Sequence, residues 1–220
     1  MKARVPVGPG LCRDIPASLD RRNSLHFRNL MRAVRAAHAR LVHVLAVDGT
    51  FDDCQRLVKS AFSDSTLRDA VRLGSANSIN IGRLLPQIFY YFHAAAQLGT
   101  ETAPLFSVPS GNFGNLTAGL MAKKLGLASR GFVAVTNVND VVPEYLRTGV
   151  VRPRLSIPTI SNAMDVGDPS NLARILALYD GDVDQIRAAV IGSVHDDDET
   201  RECIAQVHRR TGYVLDPHSA

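Results

Sequence analysis

Ser110-Gly111-Asn112-Phe113-Gly114-Asn115 lies between an apolar stretch, Pro104 to Pro109, and a helix-like stretch, Leu116 to Leu125. Its glycines and asparagines tolerate backbone angles that other residues avoid. A strand that enters such a turn and leaves it as a helix can aim several backbone N–H groups at one anion. The helix dipole adds positive potential at the same point. The pattern predicts a phosphate cradle. Read by itself it serves equally well as an ordinary strand-to-helix turn.

Working outward, Leu105 to Val108 and Phe132 to Thr136 read as strands on either side of the loop and its helix, which Gly126 ends. A β-loop-α-β order implies parallel strands with helical crossovers, hence an α/β layered sheet with flanking helices. Ligands of such sheets bind at the carboxyl ends of the strands. Upstream, Leu41 to Val47 reads as a buried strand. Thr50 and Asp53 have capping-box spacing and open a helix from Phe51 to Phe62, with Leu57, Val58 and Phe62 as its apolar face. Asn77 to Leu98 reads as one long helix kinked at Pro86, with most of Phe89, Tyr90, Tyr91 and Phe92 in the core. Downstream, Ser161 to Asn171 is polar and turn-rich, and Leu172 to Tyr179 and Val183 to Val194 look helical. Asp196, Asp197, Asp198 and Glu199 suit the start of a last helix that runs to Arg210 and stops at Gly212. That acid run is read as a cap, not a metal site.

The 220 residues are 45% hydrophobic and 21% charged, the balance of a soluble globular chain. No apolar run reaches the roughly 18 residues of a membrane span, and the start has no signal-peptide pattern. Cys12, Cys54 and Cys203 are too scattered for a metal site and fit free thiols in a reducing cytoplasm. Residues 1–40 carry Lys2 and eight arginines against Asp14 and Asp20, a net +7; the rest of the chain is therefore −3 of the total +4. Such a basic arm can bind nucleic acid, but no aromatic interleaving or DNA-binding pattern accompanies it. The expectation is no nucleic-acid partner and no membrane partner.

Five blocks carry a resemblance, in one chain order: Ala46 to Phe62 (AVDGTFDDCQRLVKSAF), Ala76 to Phe92 (ANSINIGRLLPQIFYYF), Val108 to Leu127 (VPSGNFGNLTAGLMAKKLGL), Thr136 to Val150 (TNVNDVVPEYLRTGV) and Ile160 to Asn171 (ISNAMDVGDPSN). Together they resemble the threonine synthase family. That resemblance implies the tryptophan synthase β-like fold, also called fold type II, and pyridoxal 5'-phosphate as cofactor. It implies lyase chemistry in threonine biosynthesis: O-phospho-L-homoserine, a small phosphorylated amino acid, and water give L-threonine and phosphate. It assigns Ser110, Gly111, Asn112, Phe113, Gly114 and Asn115 to the cofactor phosphate, with an oxygen contact from Ser110, and turns Asn77, Ser78 and Asn80 toward the substrate. It begins near residue 42, which divides the chain into a non-homologous, loosely helical or disordered segment, 1–41, and a partial enzyme domain, 42–220. The family's Phe-Lys-Asp lysine and its Ser/Thr-Gly-Asp-Thr-Gly-like loop, expected upstream of Val42, do not occur. Tyr213 to His218 resembles a motif that the family follows with more chain. The expectation is a fragment, incomplete at both ends.

Pyridoxal phosphate chemistry needs a lysine for the Schiff base, a phosphate anchor and a group beside the pyridine nitrogen. Only the anchor has a clear candidate. The lysines are Lys2, Lys59, Lys123 and Lys124, and none stands where the family lysine belongs. Lys123 and Lys124 follow the loop by about two helical turns, ~12 Å, and are expected at the surface. No catalytic residue is assigned. Asn77, Ser78 and Asn80 also read as helix caps, and Asn137, Asn139 and Asp140 as turn formers or site residues, the turn reading being preferred. His43, His93 and His218 have no partner spacing for a metal or a triad. Another fold type II lyase or dehydratase, or a non-catalytic remnant or interaction module that keeps only the fold, is the alternative.

Overall fold

The computed structural model describes residues 47–71, 73–75, 77–98 and 103–220. Segment 1–41, with Lys2 and Cys12, lies outside them, as do His43 and all of the expected strand Leu41 to Val47 except Val47 itself. The chain divides into two compact units, Met1–Cys54 and Gln55–Ala220. In the first, Thr50 and Asp53 form the expected capping box. Asp53 N–H donates to Thr50 Oγ1 at 3.2 Å and Thr50 N–H to Asp53 Oδ2 at 2.7 Å. This pair opens helix α1, Phe51–Ser63.

The second unit is built on three parallel strands in the order β1-β2-β3. They are β1 (Leu105–Pro109), β2 (Gly131–Thr136) and β3 (Val190–Val194). Leu105 pairs with Gly131 and Pro109 with Val135; Phe132 pairs with Val190 and Thr136 with Val194. The helices after α1 are α2 (Ser65–Ala70), α3 (Leu85–Leu98), α4 (Gly114–Lys124), α5 (Val141–Thr148), α6 (Leu172–Leu178), α7 (Val183–Ala189) and α8 (Asp197–Thr211). The expected α/β layers with parallel strands are therefore present.

Helix α4 positions the loop, and it is covered on several sides. Leu116, Thr117, Ala118, Gly119 and Leu120 are all buried, because α4 packs against α3, α6 and β2. Gly119 makes that approach possible. A Cβ there would lie 2.6 Å from Phe132 Cε1 and 2.8 Å from Tyr91 Cζ. Those rings form a trio with Phe106: Tyr91 meets Phe106 edge-on at 5.0 Å and Phe132 at 5.5 Å, while Phe106 and Phe132 stack at 5.7 Å.

Four expectations need correction. The stretch from Asn77 is not one kinked helix. A 3-10 turn, Ile81–Arg83, comes first, with Asn80 Oδ1 accepting from Gly82 N–H, and α3 starts at Leu85. Pro86 thus sits in the first helical turn, where its missing N–H costs nothing. Of the four aromatics only Tyr91 is core; Phe89 is 70% and Tyr90 63% exposed. Leu57 and Val58 are exposed on α1, and its buried residue is Gln55. Finally, Val183 to Val194 is a short helix followed by strand β3. The β-branched Val190 and Ile191 continue beside β2, and Gly192 lets the strand pass Pro143, whose Cα would be 3.0 Å from a Cβ at that position. The acid run caps α8 as expected, with a capping box between Asp196 and Glu199.

Candidate functional site

The loop leaves β1 at Ser110, whose N–H donates to Val135 O at 2.8 Å and whose hydroxyl donates to Val108 O at 2.9 Å. Both bonds tie it to the ends of β1 and β2, so the Ser110 hydroxyl proton is spent on the scaffold. Gly111 presses on the 3-10 turn Asn162–Met164: a Cβ would stand 2.7 Å from Met164 Cα and 2.8 Å from Ala163 O. Only glycine fits. Phe113, at φ 60°, holds the left-handed conformation immediately before α4 while its ring is buried in the core.

The asparagine side chains are spent on the scaffold as well. Asn112 Nδ2 donates to Ser78 Oγ at 2.7 Å, and its Oδ1 accepts from Ser170 N–H at 2.7 Å. Asn115 Oδ1 accepts from the Tyr91 hydroxyl at 2.6 Å, and its Nδ2 donates to Gln87 Oε1 at 3.0 Å. Burial pushes the Tyr91 phenol far up, so it stays a donor. The backbone N–H groups of Gly111, Asn112, Phe113, Gly114 and Asn115 find no acceptor among the described residues. They stand at the head of the 11-residue helix α4. What the loop offers a ligand is therefore backbone N–H groups at a positive helix end, the arrangement that suits an anion.

Of the expected substrate residues, the structure brings Ser78 to the loop. Its Cβ is 3.3 Å from where a Cβ on Gly114 would be. Asn77 and Asn80 are exposed; Asn80 caps the 3-10 turn and its Nδ2 donates to Ser75 O at 3.1 Å. Lys123 Nζ donates to Ser129 O at 2.8 Å, and Lys124 Nζ lies 4.4 Å over the Tyr179 ring. Both occupy the last turn of α4, about 14 Å along the axis from Gly114. Lys59 is exposed on α1.

Asn137 and Asn139 follow β2 and are buried. Asn137 Nδ2 donates to Thr159 Oγ1 at 2.8 Å and to Asp165 Oδ1 at 2.9 Å; Asn139 Nδ2 donates to Ile157 O at 2.9 Å. They fasten the segment from Ile157 to Asp165 beneath the carboxyl end of β2, a larger role than a local turn. Burial pushes the Asp165 carboxyl up, against hydrogen bonds from Thr159 and Asn137 that hold it down. An acid whose folded pKa is raised is penalised when ionised. The stability of the wild-type chain relative to Asp165→Asn is therefore expected to fall as pH rises from the ordinary carboxylate range through the raised folded value. Thermal melts of both chains across that range check the sign.

His93 bonds Gln97 and His218 bonds Asp216. Among the described residues no group of three or more His, Cys, Asp or Glu side chains is placed to hold a metal. Cys54 and Cys203 are free thiols. A cavity of about 360 Å³ beside His195, Glu199 and Cys203 shares no residue with the loop. Sequence reasoning missed Ser170 and Asn171, which bond Asn112 of the loop, and Arg174, which bonds Asn171 and the carbonyls of Ser78 and Ile79. Only the polar Pro-Ser-Asn run before α6 hinted at them.

The chain belongs to the pyridoxal-phosphate dependent enzyme family, whose model matches residues 20–220. Within that family it is similar to threonine synthase. It is 49% identical over 181 residues to the threonine synthases of Serratia marcescens and Escherichia coli (strain K12), covering 81% of this chain and 42% of each relative. The crystal structure of threonine synthase from Escherichia coli superposes with a TM-score of 0.73 over 79% of this chain and 40% of that one. That of the pyridoxal-phosphate-bound enzyme from Brucella melitensis superposes at 0.68 with 34% identity, over 79% of this chain and 43% of that one. The fold is that of the fold type II enzymes. The chain spans about two fifths of the length of the curated relatives it matches.

Proposed function

We propose that this chain forms the cofactor-phosphate-holding part of a threonine synthase, acting in the cytoplasm on O-phospho-L-homoserine and water to give L-threonine and phosphate. The observation that carries the reading is the row of unpaired N–H groups from Gly111 to Asn115 at the head of α4. The phosphate fits there because every side chain of the loop is already committed to the scaffold. When bound, pyridoxal phosphate supplies an electron sink for the amino acid. The chain's own residues hold its phosphate and set its depth, and Ser78, with Asn77 and Asn80 beside it, stands on the substrate side.

A second reading, a non-catalytic chain that keeps the fold, draws on the lysines. None of the described ones lies near the loop. One measurement addresses the anchor directly. Equilibrium dialysis of the chain with pyridoxal phosphate and with pyridoxal, which lacks the phosphate, is expected to favour the former at least about tenfold. A single charge-assisted hydrogen bond contributes roughly 1.5–3 kcal/mol, enough for that ratio. Equal retention of the two compounds would sink the phosphate reading. Threonine formation from O-phosphohomoserine by the chain would remove the non-catalytic one.

A further inference from the structure

Arg174 lies near the start of α6 and has only donors to offer. Its guanidinium donates to Ser78 O at 2.7 Å, to Ile79 O and to Asn171 Oδ1 at 2.5 Å. That last bond decides the orientation of the Asn171 carboxamide. With Oδ1 turned to the guanidinium, Nδ2 must point the other way, and it donates to Asn112 O at 2.9 Å. Asn171 is fully buried, so neither end has water as an alternative. The Asn112 side chain is fixed by the same reasoning. Ser170 N–H can only donate, so Oδ1 faces it and Nδ2 faces Ser78 Oγ. The bonds close a ring: Arg174, Asn171, Asn112, Ser78 and back to Arg174.

We propose that Arg174 and Asn171 are positioning residues for the anion cradle: Arg174 orients Asn171, and Asn171 holds the Asn112 carbonyl so that the next N–H, that of Phe113, is presented to the anion. The peptide unit is planar and trans, so its C=O and N–H point in opposite directions. Holding the Asn112 carbonyl on the Asn171 side holds the Phe113 N–H on the other. Phe113 also sits at φ 60°, a conformation a non-glycine residue keeps only when its surroundings enforce it. Releasing the carbonyl frees that peptide to turn. The proposal rests on the phosphate reading of the loop and adds the residues that set its geometry.

The test uses the 220-residue chain at micromolar concentration, with inorganic phosphate as probe. Millisecond hydrogen exchange is read on peptides covering residues 110–116, with and without phosphate at about ten times its dissociation constant. Binding should slow exchange there by roughly tenfold in the wild type. In Asn171→Ala and in Arg174→Lys the slowing is expected to vanish, while exchange in β1, β2 and β3 stays as in the wild type. Arg174→Lys keeps the charge and loses the fork that reaches three acceptors, so it separates geometry from charge. It also decides the matter where Asn171→Ala does not fold, since its substitution is the milder. Variants that slow as the wild type does overturn the proposal and leave the cradle standing. A wild-type chain with no phosphate-dependent slowing overturns the cradle, and the proposal with it.

Discussion

Borohydride reduction of this chain in the presence of pyridoxal phosphate is expected to fix no cofactor to it beyond what any exposed lysine captures. Covalent attachment needs an amine within bonding distance of the cofactor aldehyde while the phosphate sits on the loop. Lys123 and Lys124 are about 14 Å away along α4, at its opposite end. Each also has a partner, Ser129 O for Lys123 and the Tyr179 ring for Lys124. Lys59 is exposed on α1, and Lys2 is the remaining lysine of the sequence. Peptide mapping after reduction should find pyridoxyl groups scattered at low yield. One group per chain on a single lysine, together with a visible absorbance band, would overturn this expectation and assign the Schiff base to a lysine of this chain. The expected outcome separates anchoring from catalysis. On the proposed reading, anchoring rests on the loop's backbone N–H groups and is independent of any lysine of this chain.

The features legible in the sequence are those with local causes. The Thr50–Asp53 and Asp196–Glu199 boxes, the strand–loop–helix unit around Ser110 to Asn115 and the parallel pairing of β1 and β2 all follow from short-range chemistry. The errors came where tertiary contacts decide. Val190 to Val194 continues a helical spacing from Ile186, and only its place beside β2 makes it a strand. Pro86 marks a helix start or a kink equally well until the 3-10 turn Ile81–Arg83 is seen to end at Leu84, just before α3 begins. Within the candidate site, the strand–loop–helix shape was readable, but the partners of the loop's side chains were not. That Asn112 and Asn115 face the scaffold depends on Ser170, Gln87 and Tyr91, which are 24 to 58 residues away in sequence. Asn171 and Arg174 were invisible for the same reason: a buried carboxamide has no periodicity, and its function is defined by the partner that orients it.

The chain is expected to associate as its concentration rises and to bind hydrophobic dyes strongly. Helix α3 buries Ile88 and Tyr91, while Leu85, Phe89 and Tyr90 are at least half exposed on its other faces. Ile81 and Leu98 add apolar surface at either end of the helix, 48% and 66% exposed. Burying one such side chain is worth about 1.5–3 kcal/mol, and several contiguous ones exceed what a soluble monomer normally leaves in water. The relatives carry further chain on this same fold, with 58% of their length unmatched, since the match covers 42%. Sedimentation velocity across a concentration series checks the expectation, with Phe89→Glu and Tyr90→Lys combined as the control that should reduce both association and dye binding. Both substitutions fall on exposed positions, so folding should survive them. A wild-type chain that stays monomeric, melts in one sharp transition and binds little dye would mean that the exposed aromatics of α3 do not form an adhesive surface. It would favour a self-sufficient domain, and with it a function other than threonine synthesis.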